Sequence, residues 1–419
     1  MTVRRLAAID AQTWWSSTKI PNDQFLLYGF AGVPADLDAA LNEVRERARH
    51  CAELTLRVRD DCRLTYPAWV SGDVEDDQFT VHALGSPDWN GCLTVVGGLA
   101  CDQLDATRAT WRLHAFPGVR GMPGADGPAT VVVLQASHAL GDGVRASALA
   151  GWLFGRQAPV SPVRSRSFVS AALPWRTVRA ARAHRLLVSD TECGRVAAQA
   201  ESRPLLRSNS RPAGARRLRT ITRHRAELPG PTVTIGVLAA VSTALSEHLR
   251  TFGDDPSALG AEVPMAKPGA RRALNHFGNV GIGLYPDLSW DARIARIVED
   301  FAERRQRAAH PAMLASGRAF EATPAPLLRW GVAQFDPTVR PATVSGNTVL
   351  SSVNRGAADL HFGGAPVAVT AGYPALSPMM GLTHGVHGIG DTVAISLHAA
   401  ESAVGDIDAY LERLDRALR

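Results

Sequence analysis

The chain lacks the features that mark several common classes of protein. Its 419 residues contain no run of eighteen apolar residues, so no transmembrane helix is predicted. The five cysteines are odd in number and lack the spacing of a zinc site, which favours free thiols in a reducing compartment. The charged residue Asp10 precedes any apolar run long enough for a secretory signal. We therefore expect a cytoplasmic protein.

Lysine is almost absent as well. Only Lys19 and Lys267 occur among 45 basic residues, so arginine carries nearly all of the positive charge, and the formal net charge is +5. Many arginines fall between residues 157 and 225, among them Arg164, Arg166, Arg176, Arg179, Arg216, Arg217 and Arg219. This segment is either a basic face that meets a cofactor phosphate or an anionic surface, or a solvated linker. We expect no nucleic-acid partner.

The remainder of the chain alternates strand and helix patterns, which predicts an α/β protein in two halves. Apolar runs predict buried strands over 25–30 and 130–136, and apolar residues at helical spacing predict a helix over 36–50. A second α/β region begins near residue 226 and closes with an amphipathic helix. We therefore divide the chain into residues 1–156, a crossover linker over 157–225 with a helix near 173–186, and residues 226–419.

One short segment has the composition of a catalytic turn: Ser137-His138-Ala139-Leu140-Gly141-Asp142-Gly143. His138 directly follows the strand over 130–136, and an imidazole is well suited to take a proton near neutral pH. Asp142 is placed to pair with an arginine and hold the loop, and Gly141 and Gly143 permit backbone angles that other residues avoid. Held in this way, His138 would deprotonate a hydroxyl or an amine for attack on an acyl carbonyl. An ordinary strand-to-turn histidine is the alternative.

With these residues, the sequence resembles the bacterial wax ester synthase/diacylglycerol acyltransferase family. That family belongs to the CoA-dependent acyltransferase superfamily, with chloramphenicol acetyltransferase and peptide-synthetase condensation domains. Its signature is His-His-x-x-x-Asp-Gly; His138, Asp142 and Gly143 match it, and Ser137 stands in place of the first His. Residues 104–111 are similar to a second family stretch, Leu-Asp-Arg-x-Arg-Pro-Leu-Trp. Weaker matches follow in the same order over nearly the whole chain.

The resemblance implies a fold and an activity. The fold is two chloramphenicol acetyltransferase-like domains with mixed sheets, facing each other across a tunnel that meets at His138. The activity is transfer of an acyl group from acyl-CoA, a co-substrate, to a hydroxyl of a small-molecule or lipid acceptor, with His138 as general base and no permanently bound cofactor or metal. Ser351 is a candidate oxyanion contact, and Asn279 and Ser137 are candidate tunnel contacts. Purely structural roles are the alternative for all three.

Two histidines depart from the family pattern. His384 and His387 fall on a strand that is usually more apolar in the family, so they are candidates for a polar acceptor pocket. The alternative is that they are exposed, or buried in the core with their hydrogen bonds satisfied. A shared metal ion is disfavoured, because residues three apart on a strand point to opposite faces. Three hypotheses stay open: O-acyl transfer from acyl-CoA, a condensation-like transfer with an acyl carrier protein or an amine acceptor in natural-product biosynthesis, and a silent ligand-binding homologue. Peripheral contact with a membrane also stays open, because such contact needs no spanning helix.

Overall fold

Two six-stranded sheets organise the fold in a computed structural model that describes residues 4–163 and 170–419. Arg164 and Arg166 lie outside the described residues. The described strands are β1 (Arg4–Arg5), β2 (Gln24–Phe30), β3 (Leu56–Arg59), β4 (Ala68–Ser71), β5 (Phe79–Val81), β6 (Trp111–Val119), β7 (Ala129–Ala136), β8 (Arg203–Pro204), β9 (Arg216–His224), β10 (Gly260–Ala266), β11 (Phe277–Gly283), β12 (Thr343–Val344), β13 (Thr348–Asn354), β14 (His361–Phe362), β15 (Ala365–Gly372), β16 (Leu382–Ile389) and β17 (Thr392–Ala400).

Helices cover the outer faces of the sheets and fill the connections between them. They are α1 (Ala8–Ser17), α2 (Leu37–Arg49), α3 (Trp89–Leu99), α4 (Gly143–Leu153), α5 (Leu173–Glu192), α6 (Val233–Arg250), α7 (Trp290–Ala309), α8 (Pro311–Glu321), α9 (Ala325–Gln334), α10 (Glu401–Val404) and α11 (Ile407–Ala417). In the part of the chain that the structure describes, no helix has the length and apolarity to span a bilayer. The five cysteines are all free.

Both large sheets are mixed, as expected. The N-terminal sheet has the order β14-β15-β2-β7-β6-β5, in which β5 and β6 are parallel and the other pairs are antiparallel. The C-terminal sheet has the order β11-β10-β13-β16-β17-β9, in which β13 runs parallel to β10 and β16. The predicted fold class is therefore confirmed.

The elements around the N-terminal sheet form where local patterns predict them. Every residue of β7 is buried, as expected for a central strand covered on both faces. Helix α2 begins where the Asp36 side chain accepts a hydrogen bond from the Ala39 amide, and it buries an apolar stripe that includes Leu41 and Val44. This stripe shares a core with α4 and one face of the sheet. The predicted helix over 36–50 and strand over 130–136 are confirmed within one residue at each end.

The two halves of the sequence exchange strands, which the predicted boundaries do not anticipate. Strand β9, placed in the 157–225 linker, pairs along its whole length with β17 at the edge of the C-terminal sheet. Strands β14 and β15, placed in the 226–419 half, belong instead to the N-terminal sheet, where β15 pairs with β2. Long-range hydrogen bonding therefore decides sheet membership here, and the boundaries at 157, 225 and 226 do not coincide with it.

The exchange predicts that the halves are not independent folding units. If residues 1–225 and 226–419 are expressed separately, each should be insoluble or unfolded, because each lacks strands that complete its sheet and cover its core. Co-expression should restore soluble protein, measured by co-purification and circular dichroism. The intact chain is the control, and a cooperatively unfolding monomer of residues 1–225 alone would contradict this prediction.

Candidate active site

His138 lies where β7 ends, at the junction of the two sheets. A single turn of 3₁₀ helix, His138–Leu140, follows the strand, and the Ser137 hydroxyl caps it by accepting a hydrogen bond from the Ala139 amide at 3.4 Å. The His138 side chain is half-buried and lines a cavity of about 420 Å³. The ring therefore borders a space in which a ligand can bind.

Both sheets contribute to the walls of this cavity. The N-terminal side supplies the segment 22–26 at the start of β2, His138 and the first turn of α4. The C-terminal side supplies parts of β10, β11, β13 and β16. The wall contains many polar side chains, among them Asp23, Ser147, Ser351, Arg355 and His387.

The orientation of the His138 ring is set by Asn275. His138 Nδ1 lies 2.9 Å from Asn275 Oδ1, and Asn275 Nδ2 donates to the His138 carbonyl at 2.9 Å. Because an amide oxygen only accepts, Nδ1 must carry the proton and donate it. The other ring nitrogen, Nε2, is then unprotonated in the neutral ring, and no hydrogen bond to it is found among the described residues. This is the tautomer that a general base requires.

Asp10 in turn fixes the amide of Asn275. Its Oδ1 accepts from Asn275 Nδ2 at 3.0 Å and from the Asn275 backbone amide at 2.9 Å, and its Oδ2 accepts from the Leu274 amide at 3.0 Å. An ionised carboxylate accepts only, so it forces the NH₂ group of Asn275 towards itself and the oxygen towards His138. Asp10, Asn275 and His138 thus form one hydrogen-bonded chain.

The protonation states in this chain follow from burial. Burial lowers the pKa of His138 below its ordinary value, against the hydrogen bonds with its own backbone and with Asn275 and the charge of Asp142. Burial also raises the pKa of Asp10 to about 6, against the hydrogen bonds from Leu274 and Asn275. At neutral pH the imidazole is therefore neutral and Asp10 is ionised, which is the state that the hydrogen-bond pattern requires.

Asp142 fastens the His138 loop to the opposite half of the chain. Its Oδ2 accepts from Arg271 Nη1 at 2.8 Å and from the His276 amide at 2.9 Å, and its Oδ1 accepts from Arg271 Nη2 and caps α4 through the Arg145 amide. Burial alone would raise the pKa of Asp142, but the bonds from Arg271, His276 and Arg145 hold it below its ordinary value. The expected pairing with an arginine is confirmed.

The two glycines of the motif serve different needs. Gly141 has φ +149°, a conformation that favours glycine, and a Cβ there would lie 2.7 Å from the Arg145 side chain. Gly143 has no unusual φ and begins α4. A Cβ at Gly143 would lie 3.3 Å from Val353 Cγ2 across the cavity, so the constraint there is space, in contrast to the expected backbone freedom.

The structure separates the remaining candidate residues into two groups. Ser351 and Asn279 line the cavity; no side-chain hydrogen bond of Ser351 is found among the described residues, whereas Asn279 Nδ2 donates to Glu262 Oε1. Ser137 does not line the cavity, because its hydroxyl is buried as the cap of the 3₁₀ turn. Its prediction as a tunnel contact is therefore wrong.

The two histidines of β16 point to opposite faces, as predicted. His384 is fully buried in the C-terminal core, where Nδ1 lies 2.8 Å from Thr348 Oγ1 and Nε2 lies 2.7 Å from the Tyr410 hydroxyl. Its place in an acceptor pocket is a wrong prediction, since its face of the strand packs against α11. His387 lines the cavity, and burial holds its pKa well below the ordinary value, reinforced by the charge of Arg355.

Sequence reasoning missed four residues of the site. These are the positioning residue Asn275, the ion-pair partner Arg271, and the cavity residues Asp23 and Arg355. No local pattern marks them, because their roles arise from contacts between distant segments. Asp10 entered the sequence analysis only as a charge that precedes any secretory signal; its place among the apolar residues of α1 was the available signal.

Residues 275–419 match the family model described as the WS/DGAT C-terminal domain. The match covers the C-terminal third of the chain. A search of curated proteins finds no significant match. Among solved structures, the chain is similar to the wax ester synthase/diacylglycerol acyltransferase from Marinobacter aquaeolei VT8, with 19% identity, a TM-score of 0.64, and coverage of 99% of this chain and 98% of that chain.

Condensation domains share the fold of this WS/DGAT-like chain. A mutant starter condensation domain of rhizomide synthetase in complex with C8-CoA has 14% identity and a TM-score of 0.60, covering 99% of this chain and 94% of that one. Another mutant, in complex with C8-CoA and Leu-SNAC, has 14% identity and a TM-score of 0.58, covering 100% and 93%. The resemblance stated from the sequence is confirmed, and the chain has the two-domain fold of these acyltransferases.

The ion pair between Asp142 and Arg271 predicts a large loss of stability on truncation. Asp142→Ala removes the cap of α4 and leaves a half-buried guanidinium unpaired, so we expect the free energy of unfolding to fall by roughly 3 kcal/mol. Urea denaturation measures it. The control is Asp359→Ala, which breaks a more exposed pair with Arg156 and should cost less than about 1 kcal/mol. Equal losses in both variants would refute the special role of Asp142.

Proposed function

We propose that the protein is an acyl-CoA-dependent acyltransferase that transfers an acyl group to a hydroxyl, with His138 as the general base. The observation that carries the proposal is the hydrogen-bonded chain from Asp10 through Asn275 to His138 Nδ1. It leaves Nε2 as the proton-accepting nitrogen of a ring that lines a cavity. The WS/DGAT C-terminal domain and the similar fold of acyltransferases support the same activity.

The reaction requires one proton to move through His138. Nε2 takes the proton of the acceptor hydroxyl as its oxygen attacks the thioester carbonyl, and a tetrahedral oxyanion forms. When this intermediate collapses, the carbon–sulfur bond breaks and the imidazolium returns the proton to the CoA sulfur. The ester and free CoA leave, and the ring is again neutral. The lowered pKa of His138 suits this cycle, because the ring does not remain protonated between turnovers.

Ser351 is the best placed donor for the oxyanion. It lies in the cavity wall on β13, and the neighbouring Ser352 hydroxyl is by contrast engaged at 2.8 Å with that of Thr234. A hydroxyl directed at the developing negative charge lowers the activation barrier by on the order of 3 kcal/mol. Asn279 is bonded to Glu262 and is a weaker candidate for this role.

A carrier-bound donor or an amine acceptor is the second candidate for the same chemistry. It is favoured by the similarity to condensation domains, one of which was solved with C8-CoA and Leu-SNAC together. The same base would deprotonate an attacking amine, so geometry at His138 is compatible with both. Parallel assays with acyl-CoA and with the acyl group on a carrier protein separate the two donors.

The central test is His138→Ala. We expect kcat/KM for release of free CoA to fall about 100- to 10,000-fold, because the variant has no base at the reacting hydroxyl. A thiol-reactive chromophore measures CoA release over a panel of acyl-CoAs and alcohols. The control is His184→Ala, an exposed histidine on α5. Full activity in His138→Ala would overturn the mechanism, and tight acyl-CoA binding without turnover by the unaltered protein would favour a silent homologue.

The pH dependence tests the positioning role of Asn275. In the unaltered protein, kcat/KM should be constant at neutral pH and fall below about pH 6, because Asp10, whose pKa is about 6, must be ionised and His138 must be neutral. In Asn275→Ala the neutral-pH rate should fall about 10- to 100-fold, since the tautomer is no longer set.

The fall-off with acid should also move to lower pH in Asn275→Ala. The variant uncouples Asp10 from the ring and removes a hydrogen bond that favours the imidazolium, and both changes act in that direction. The matched control is Asn90→Ala, an exposed asparagine on α3. A lower rate with an unchanged pH profile would show a merely structural role for Asn275.

A further inference from the structure

The wall of the cavity contains a buried cation that the proposed proton transfer does not use. Arg355 directly follows β13 and is only 4% exposed. Its Nη1 donates to the Leu27 carbonyl at 3.2 Å and to Thr370 Oγ1, and the guanidinium carbon lies 5.0 Å from the centre of the Tyr28 ring. Thus one nitrogen of the guanidinium anchors the group between the two sheets.

One nitrogen of the guanidinium remains available to a ligand. No hydrogen bond joins Arg355 Nε or Nη2 to an acceptor among the described residues, but Nε is fully buried and has no surface that a ligand could reach. Nη2 is therefore the donor left for a ligand of the cavity, and a charged N–H of this kind binds a carboxylate oxygen strongly.

No carboxylate of the described chain neutralises this charge. Burial lowers the pKa of the Arg355 guanidinium, and the opposing contributions come from the phenols, a Coulombic and hydrogen-bonding interaction with Tyr28 and the charge of Tyr373. The nearby acid Asp359 is bonded to Arg156, which in turn donates to the Arg355 carbonyl. Because an arginine side chain remains protonated in proteins, a buried and unpaired one is costly to retain. A ligand that supplies the missing charge gives a physical reason for its position.

His387 stands beside Arg355 Nη2. A Cβ built on Gly372 would lie 2.8 Å from His387 Nε2 and 2.9 Å from Arg355 Nη2, so both nitrogens approach the same point of β15. Burial and the charge of Arg355 hold the pKa of His387 well below its ordinary value, so the ring is neutral and does not repel the guanidinium further. Its Nδ1 is buried without a partner. The neutral imidazole thus places a second polar group next to Arg355 Nη2 in the cavity wall.

We propose that Arg355, assisted by His387, binds a carboxylate carried by a substrate of this cavity. The proposal rests on the proposed acyl transfer and specifies its substrate class. The positive charge and the free Nη2 donor of Arg355 match the negative charge of a carboxylate. The carboxylate comes either from the acyl group, as in the CoA monothioester of a dicarboxylic acid, or from the acceptor, as in a hydroxy acid. An unsubstituted alkyl chain would leave the cation unpaired.

Matched substrate pairs test both sources. The donor pair is succinyl-CoA and butyryl-CoA, and the acceptor pair is 4-hydroxybutyrate and 1-butanol; CoA release is measured for each. We expect the carboxylate member of one pair to have a kcat/KM about 10- to 100-fold higher. The preference should disappear in Arg355→Met and persist in part in Arg355→Lys, which keeps the charge but not the planar guanidinium.

The controls separate this inference from the proposed function. Arg156→Met removes a guanidinium that contacts the Arg355 backbone but does not line the cavity, so it should keep the preference. Calorimetric binding of the four compounds requires no turnover: an Arg355-dependent preference without CoA release would keep this inference and overturn acyl transfer. Turnover of the unaltered protein with no preference in either pair would overturn the inference alone. This measurement does not depend on the folding of any variant.

Discussion

The site depends on two acids of the N-terminal half that hold one short segment of the C-terminal half. Asp142 binds Arg271 and the His276 amide, and Asp10 binds the Leu274 and Asn275 amides. Residues 271–276 are therefore fixed from both sides before any substrate is present. Because Asn275 lies within this segment, its amide is placed against His138 by the same contacts that join the halves. The contacts that join the two halves are thus also the contacts that select the tautomer of His138.

This arrangement also explains how the half-buried imidazole of His138 can act as a base. Desolvation disfavours the charged forms of both His138 and Asp10. Acting alone, it would leave a neutral carboxylic acid near a neutral imidazole. The three hydrogen bonds that Asp10 accepts oppose that outcome, so its pKa is raised only to about 6 and the carboxylate persists at neutral pH. Asn275 is neutral, so it orients the His138 ring without placing a charge next to it. A carboxylate in direct contact with the ring would instead raise the pKa of His138 and retain its proton.

Sequence patterns predict the parts of this protein that are determined locally. The strand before His138 and helix α2 follow from apolar runs and apolar spacing, and Asp142 was expected to pair with an arginine because a carboxylate at that place can hold the loop. Strand β9 was not recognised, since its nine residues bury only Leu218 and Ile221 among arginines and threonines. Leu218 and Ile221 are three residues apart and pack into different cores, so β9 has no apolar alternation that a strand prediction could use. The contacts of Asp10 with Asn275 span 265 residues, and no spacing rule reaches so far.

The histidines of β16 show a second reason for failure. Both faces of this strand are buried, so no polar and apolar alternation distinguishes the face on the cavity from the face on the core. His384 is satisfied by Thr348 and Tyr410, and burial lowers its pKa to about 3, which describes a neutral core residue. His387 has an unpartnered ring nitrogen in the cavity wall. Contact with the cavity therefore distinguishes His387 from His384 where residue type and strand pattern do not.

The charges of the cavity bear on what a WS/DGAT-like fold can accept. Arg355 is a cation without a protein carboxylate, whereas Asp23 is an acid in the same wall whose pKa burial raises to about 6, against hydrogen bonds from Leu104 and Gln135. At neutral pH both are charged, and an alkyl chain packed against them would remove water and return no hydrogen bonds. A short substrate with its own polar groups would restore those hydrogen bonds. The similarity in fold to a wax ester synthase concerns the scaffold, whereas the proposed base and the proposed polarity of the substrate rest on the residues of this cavity wall.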